Sequence, residues 1–127
     1  MSKRIVKPVG SAPAVGPYNH AVAAGKLLFC SGQIPLDPAT GQIVAGDIKA
    51  QTERVLLNVK AILDHEGLTF ANVVKSTVFM TNLGDFAAMN EVYATFFTGD
   101  FPARSTVQVA ALPRGAAVEI EVIAQFA

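Results

Sequence analysis

The sequence predicts an α+β domain in which one mixed β-sheet carries two helices on one face. Three observations predict it. Apolar residues recur at helical spacing over two stretches, residues 47–66 and 85–98. Elsewhere they alternate with the two-residue period of half-buried strands. The order that results is β-β-β-α-β-α-β-β, and each strand–helix–strand passage demands a crossover connection, which gives the sheet parallel neighbours among antiparallel ones.

The elements follow in chain order. Ile5-Val6 is a short extended segment, ended by Pro8 and Gly10. Ser11 to Tyr18 holds two prolines and a glycine, and reads as an irregular but stiff loop. His20 to Ala24 and Leu27 to Ile34 read as strands joined by a hairpin turn at Ala24-Gly25-Lys26. Pro35 to Gly41 is rich in turn residues.

Asp47 to Glu66 reads as the first helix. Ile48, Thr52, Val55, Val59 and Ile62 fall on one face, with Asp47 as N-cap and Gly67 as stop. Val73 to Met80 is a strand. Asp85 to Thr98 is the second helix, with Phe86, Met89, Tyr93 and Phe96 on its inner stripe and Gly99 ending it. Arg104 then heads a strand, a Leu-Pro-Arg-Gly turn follows, and Val118 to Val122 alternates cleanly, with Glu119 and Glu121 on one side. If the last two strands pair as a hairpin, Arg104 and a glutamate lie near one surface.

Composition narrows the class. The 127 residues fit a single domain, residues 1–127, with a sizeable core. Charged residues are 16% of the chain, against about a quarter in an average soluble domain. Surface this poor in charge, and a sheet with helices on one face only, both predict burial against other copies of the chain. Ten basic residues balance ten acidic ones, and no basic run points to nucleic acid. Lys49, Arg54 and Lys60 read as a solvated helix face. A lone cysteine, Cys30, excludes an internal disulfide and fits a reducing compartment. The N-terminal residues show no apolar signal region, and no apolar run approaches the ~18 residues of a membrane span. These features predict a cytoplasmic protein without a membrane partner.

Phosphate-cradling glycine motifs are absent. His20 and His65 lie far apart and form no ligand-spaced cluster, so no metal site is expected. Cys30 reads as a small buried apolar residue rather than half of a Cys30–His20 nucleophilic pair. Glu119 and Glu121 would stand ~7 Å apart on one strand, but a chain without tryptophan and with two tyrosines offers few sugar platforms. Arg104 is the more informative residue. Its guanidinium binds a carboxylate bidentately and stays charged, so in a cleft it calls for a small organic acid. Gly32, after Ser31, leaves backbone groups open to a ligand, and Tyr18 supplies an aromatic wall with a hydroxyl.

Several segments carry a resemblance. They are A-P-A-V-G-P-Y (Ala12 to Tyr18), S-G-Q-I-P (Ser31 to Pro35), V-K-S-T-V-F (Val74 to Phe79) and P-A-R-S-T-V…L-P…V-E-I-E. With these, the whole chain resembles the RidA (YjgF) family of reactive-intermediate deaminases. The resemblance implies a chorismate-mutase-like fold and a homotrimer, with a central β-barrel, helices outside and clefts between subunits. The implied reaction is hydrolysis of 2-imino acids, such as 2-iminobutanoate and 2-iminopropanoate, to 2-oxo acids and ammonia. Such imines come from pyridoxal-phosphate enzymes; the deaminase itself needs no cofactor or metal.

The resemblance also assigns roles. Arg104 would hold the substrate carboxylate and Glu119 would orient the attacking water. Ser31 and Gly32 would engage the imine nitrogen, and Tyr18, Asn90 and Thr106 would line the cleft. Three positions depart from the pattern. Thr106 stands where some members carry cysteine, His20 where glutamine is common, and residues 98–100 form a shorter link than in some members. The competing reading is a non-catalytic regulatory protein of the same fold that binds small 2-oxo or 2-imino acids.

Overall fold

Asp47 caps the first helix, its Oδ1 accepting the Ala50 N–H at 3.0 Å. In the computed structural model, which describes residues 2–10 and 14–127, this helix, α1, runs Ile48–His65 and stops where Gly67 turns left-handed at φ 70°. All five residues of its expected inner face are buried, joined by Leu56 and Leu63. Each such aliphatic side chain removed from water contributes about 1.5–3 kcal/mol. Ala12 and Pro13, part of one motif, lie outside the described residues.

The strands are β1 (Arg4–Val6), β2 (Ala21–Ala24), β3 (Leu27–Gln33), β4 (Val73–Met80), β5 (Ala103–Gln108) and β6 (Val118–Gln125). Gly25, at φ 60°, supplies the tight turn between β2 and β3, where Ala24 faces Leu27. The second helix, α2 (Phe86–Ala94), is shorter than the expected Asp85 to Thr98. Its end tightens: the Thr95 hydroxyl donates to the Val92 carbonyl at 2.6 Å, and the Phe96 and Phe97 amides bond back only three residues. That tightening turns Phe97 inward, and the expected inner stripe is corrected there and at Phe86, the first residue of α2. Met89, Tyr93 and Phe97 are buried, whereas Phe86 is 40% exposed and Phe96 only half-buried. Phe97 packs edge-on to Phe70, as Phe96 does, and is tilted on Tyr93.

All six strands form one sheet in the order β1-β2-β3-β6-β4-β5. β4 and β5 are parallel, joined across α2; the other neighbours are antiparallel. α1 packs on β3, β6 and α2, so the helices share one face. The expected α+β class and element order are therefore present.

The conditional hairpin of the last two strands is not. β4 lies between β5 and β6 and bonds to both. The physical reason is the connection: residues 109–117 span more chain than a tight hairpin loop and step over one strand.

The face opposite the helices carries Phe29 and Val107, each 42% exposed, and Ile5 at 37%. No described element covers it. Among the described residues no helix is long and apolar enough to cross a membrane.

Candidate active site

Strand parity decides where the candidate residues go. Arg104 is the register partner of Ser76 on β4, and Ser76 is in turn opposite Val122 on β6. Ser76 and Val122 are buried under the helices, so Arg104 shares the helix-covered face. Glu119 is opposite Phe79, which is opposite Val107 on the bare face. Arg104 and Glu119 thus lie on opposite faces of the sheet. One chain presents two separate half-sites, not the single surface that a hairpin would give.

The first half-site is a cleft of about 300 Å³ lined by Asn90, Tyr93, Ala94, Phe101, Pro102 and Arg104. Phe86, Asn90 and Tyr93 sit at i, i+4 and i+7 on α2 and form one stripe. The Arg104 guanidinium carbon lies 4.7 Å from the Tyr93 ring centre and 5.6 Å from that of Phe86, both within cation–π range. Among the described residues Arg104 makes no ion pair with an acidic group; the bridges join Arg4 to Glu66, Lys49 to Glu91, Lys60 to Asp64 and His65 to Glu66. Thr106, opposite Val78, follows Arg104 on the same face. Its Oγ1 is buried and makes no hydrogen bond among the described residues.

The second half-site is a wider cleft of about 520 Å³ on the bare face, lined by Val15, Tyr18, Ser31, Gly32, Ile34, Pro113, Glu119 and Glu121. Its floor is a β-bulge. Cys30 faces Val122 and Gln33 faces Ile120, so Ser31 and Gly32 are the irregular pair on β3. Ser31 is pinned at both ends: its hydroxyl donates to the Asn19 carbonyl at 2.5 Å and its amide to the His20 carbonyl at 2.8 Å. The Tyr18 hydroxyl accepts the Val15 amide at 3.2 Å, which folds the loop over the cleft.

Gly32 has a further reason to be glycine beyond an open backbone. A Cβ there would stand 1.9 Å from Glu119 Oε2. Glu119 is half-buried, and burial lifts its carboxyl above the ordinary carboxylate value, with the Glu121 charge adding to the rise. His20 is half-buried too; burial lowers its pKa, which favours neutral imidazole.

Burial, helped by the Glu66 charge, pushes the Cys30 thiol up to about 12, so it is not a ready nucleophile. Among the described residues no three of His, Cys, Asp and Glu come together to hold a metal ion.

The structure groups Arg104 with Asn90 and places Thr106 beside them on that face. It groups Tyr18, Ser31, Gly32 and Glu119 on the other. Sequence reasoning passed over Tyr93 and Phe101 in the first cleft. Tyr93 had a signal, since it follows Asn90 by three residues on one helix, but that spacing equally marks a core position.

Residues 9–126 match the family model described as Endoribonuclease L-PSP. The chain is 56% identical over 126 residues to Protein DfrA of Myxococcus xanthus, covering 98% of this chain and 96% of that one. It is 44% identical to the 2-iminobutanoate/2-iminopropanoate deaminase of Capra hircus, covering 96% and 89%. Among solved structures it superposes on E. coli TdcF with bound serine at a TM-score of 0.93, with 45% identity and coverage of 98% and 99%.

Proposed function

This chain belongs to the Endoribonuclease L-PSP family, that of the RidA (YjgF) proteins, and from that premise we propose that it hydrolyses small 2-imino acids to 2-oxo acids and ammonia. The substrates are 2-iminobutanoate and 2-iminopropanoate, the imines named for the deaminase relatives. The working form is a homotrimer whose clefts each join the Arg104 half-site of one copy to the Glu119 half-site of its neighbour.

The observation that carries the reading is Arg104. A half-buried guanidinium between aromatic rings, without an acidic partner among the described residues, is suited to a carboxylate from outside. The serine in TdcF supports a small ligand of this kind, since serine too carries a carboxylate beside a nitrogen-bearing carbon. The bare apolar face and the outer edge of β5 support association of copies.

The chemistry follows from the groups. Arg104 fixes the carboxylate, Asn90 flanks it, and the free Thr106 hydroxyl offers one more hydrogen bond. The imine carbon then faces Glu119. Glu119 takes a proton from water as the water oxygen bonds to that carbon, and the C=N pair moves to nitrogen. The bulged Ser31-Gly32 backbone engages the nitrogen, and Tyr18 closes the cleft. Glu119 returns that proton to nitrogen, then carries the carbinolamine's hydroxyl proton to the same nitrogen as the C–N bond breaks, so the carbonyl forms and ammonia leaves. One water is consumed and one ammonia leaves, with no change of oxidation state.

The test is competition for the imine. Threonine dehydratase generates 2-iminobutanoate, semicarbazide traps it, and this protein competes. Wild type should suppress trapping; Arg104→Ala and Glu119→Ala should not. If wild type binds 2-oxobutanoate through Arg104 but leaves trapping unchanged, the protein is a small-acid binding protein of the same fold instead.

A further inference from the structure

We propose that Tyr93 and Ser76 form a buried positioning pair that holds the Arg104 guanidinium in its carboxylate-binding orientation. This rests on the reading above, in which Arg104 receives the substrate carboxylate.

The geometry is specific. Ser76 is fully buried on β4, in register with Arg104 on β5. Tyr93 is 4% exposed on α2, directly under the guanidinium. Their oxygens are 2.6 Å apart, and Val78, Met89 and Phe97 are buried in the same core. A buried hydroxyl pair must satisfy itself, so each oxygen fixes the other. The strand therefore anchors the helix's tyrosine at the height of the arginine.

Tyr93 also senses the charge above it. Burial pushes its hydroxyl to a higher pKa, while the bond to Ser76 and the Arg104 charge pull the other way. Arginine needs such a hold. Its long side chain has many rotamers, and bidentate recognition works only if the planar fork is already turned toward the ligand. No carboxylate of the described residues does this orienting. The ring face and the hydroxyl do it without neutralising the charge. Phe86, the more exposed ring at 5.6 Å, supplies a face but no polar anchor.

The test uses Tyr93→Phe and Ser76→Ala, which keep the ring and the packing nearly intact. Nitrogen NMR of the Arg104 side chain, assigned by its loss in Arg104→Lys, reads the orientation without any substrate. Wild type should show slowed rotation about the guanidinium bonds, and both variants should show averaging. In the trapping assay KM should rise by up to roughly tenfold, the cost of one buried neutral hydrogen bond, with kcat little changed. The double variant should be no worse than Tyr93→Phe, because the two hydroxyls act as one unit. Unchanged Arg104 signals in both single variants would overturn the proposal. So would a fall in kcat at constant KM, which assigns the hydroxyl to the chemical step. If wild type lacks turnover while its Arg104 signals respond to the variants, the functional reading fails and the positioning stands.

Discussion

The carboxylate of Glu119 occupies the space in front of Gly32 that any side chain at that position would need. A Cβ at Gly32 would fall 1.9 Å from Glu119 Oε2 and 2.8 Å from its carboxyl carbon. The bulge on β3 and the alternation on β6 bring the backbone of one and the side chain of the other to the same point on the bare face.

Gly32→Ala should therefore displace the Glu119 carboxyl rather than unfold the chain, since the clash is with a side chain. Misplacing a reacting group by an ångström costs on the order of a hundredfold in rate. The expected result is a loss of that size in kcat, with a melting temperature close to wild type. Paired activity and thermal-melt measurements check it. A large fall in melting temperature with normal turnover would contradict it.

The acid side of the pH–rate profile should report Glu119. As the proposed base it works ionised, and its carboxyl is held above the ordinary carboxylate value, mainly by burial and further by Glu121. Activity should fall as pH drops through that raised value. Glu121→Gln removes the second cause, so the acid limb should move to lower pH while the plateau stays. A limb that does not move would show that Glu121 leaves Glu119 untouched.

Stability should carry the opposite signature at the same residue. A carboxyl raised in the folded state binds its proton more tightly there than in the unfolded chain. Its stabilising contribution is full below the unfolded value and is lost as pH rises through the folded one. Glu119→Gln, neutral at every pH, should thus melt higher than wild type at pH 7, with the gap closing toward pH 4. Thermal melts at both pH values decide this. A variant less stable than wild type at neutral pH would count against it.

Asn58 tests what holds the second cleft from behind. Buried on α1, it donates to the Ile34 carbonyl at 3.2 Å and the Leu36 carbonyl at 2.9 Å, just past the Ser31-Gly32 bulge. Asn58→Ala strands the Leu36 carbonyl away from water and leaves the Ile34 carbonyl with only the Leu36 amide, at 2.7 Å. The cost should be about 2–3 kcal/mol in denaturant unfolding. Activity should drop as well, because the segment after Gln33 loses its tether.

The sequence made the elements legible and left their relation unread. Helical spacing picked out five of the eight buried residues of α1, because a long amphipathic helix repeats its signal, and missed Leu56, Asn58 and Leu63. The end of α2 was less visible, since Thr95 unwinds it through a local bond that periodicity does not register. Alternation along β5 and β6 placed Arg104 with Thr106 and Glu119 with Glu121. It did not relate the two strands, because that depends on β4 lying between them. The same limit hid Tyr93, whose spacing fits a core as well as a cleft.

The separation of Arg104 and Glu119 across the sheet yields the sharpest prediction. Arg104→Ala and Glu119→Ala should each be inactive alone. If a cleft takes its arginine from one copy and its glutamate from the neighbour, unfolding the two variants together and refolding them at equal ratio should restore activity. In a ring of three each cleft draws one partner from each side, so random mixing leaves both groups intact in roughly a quarter of clefts. Recovery should approach that share of wild-type turnover and vanish when the variants are refolded apart and then combined without exchange. If both groups served a cleft from the same chain, every cleft in the mixture would lack one of them, and no activity would return.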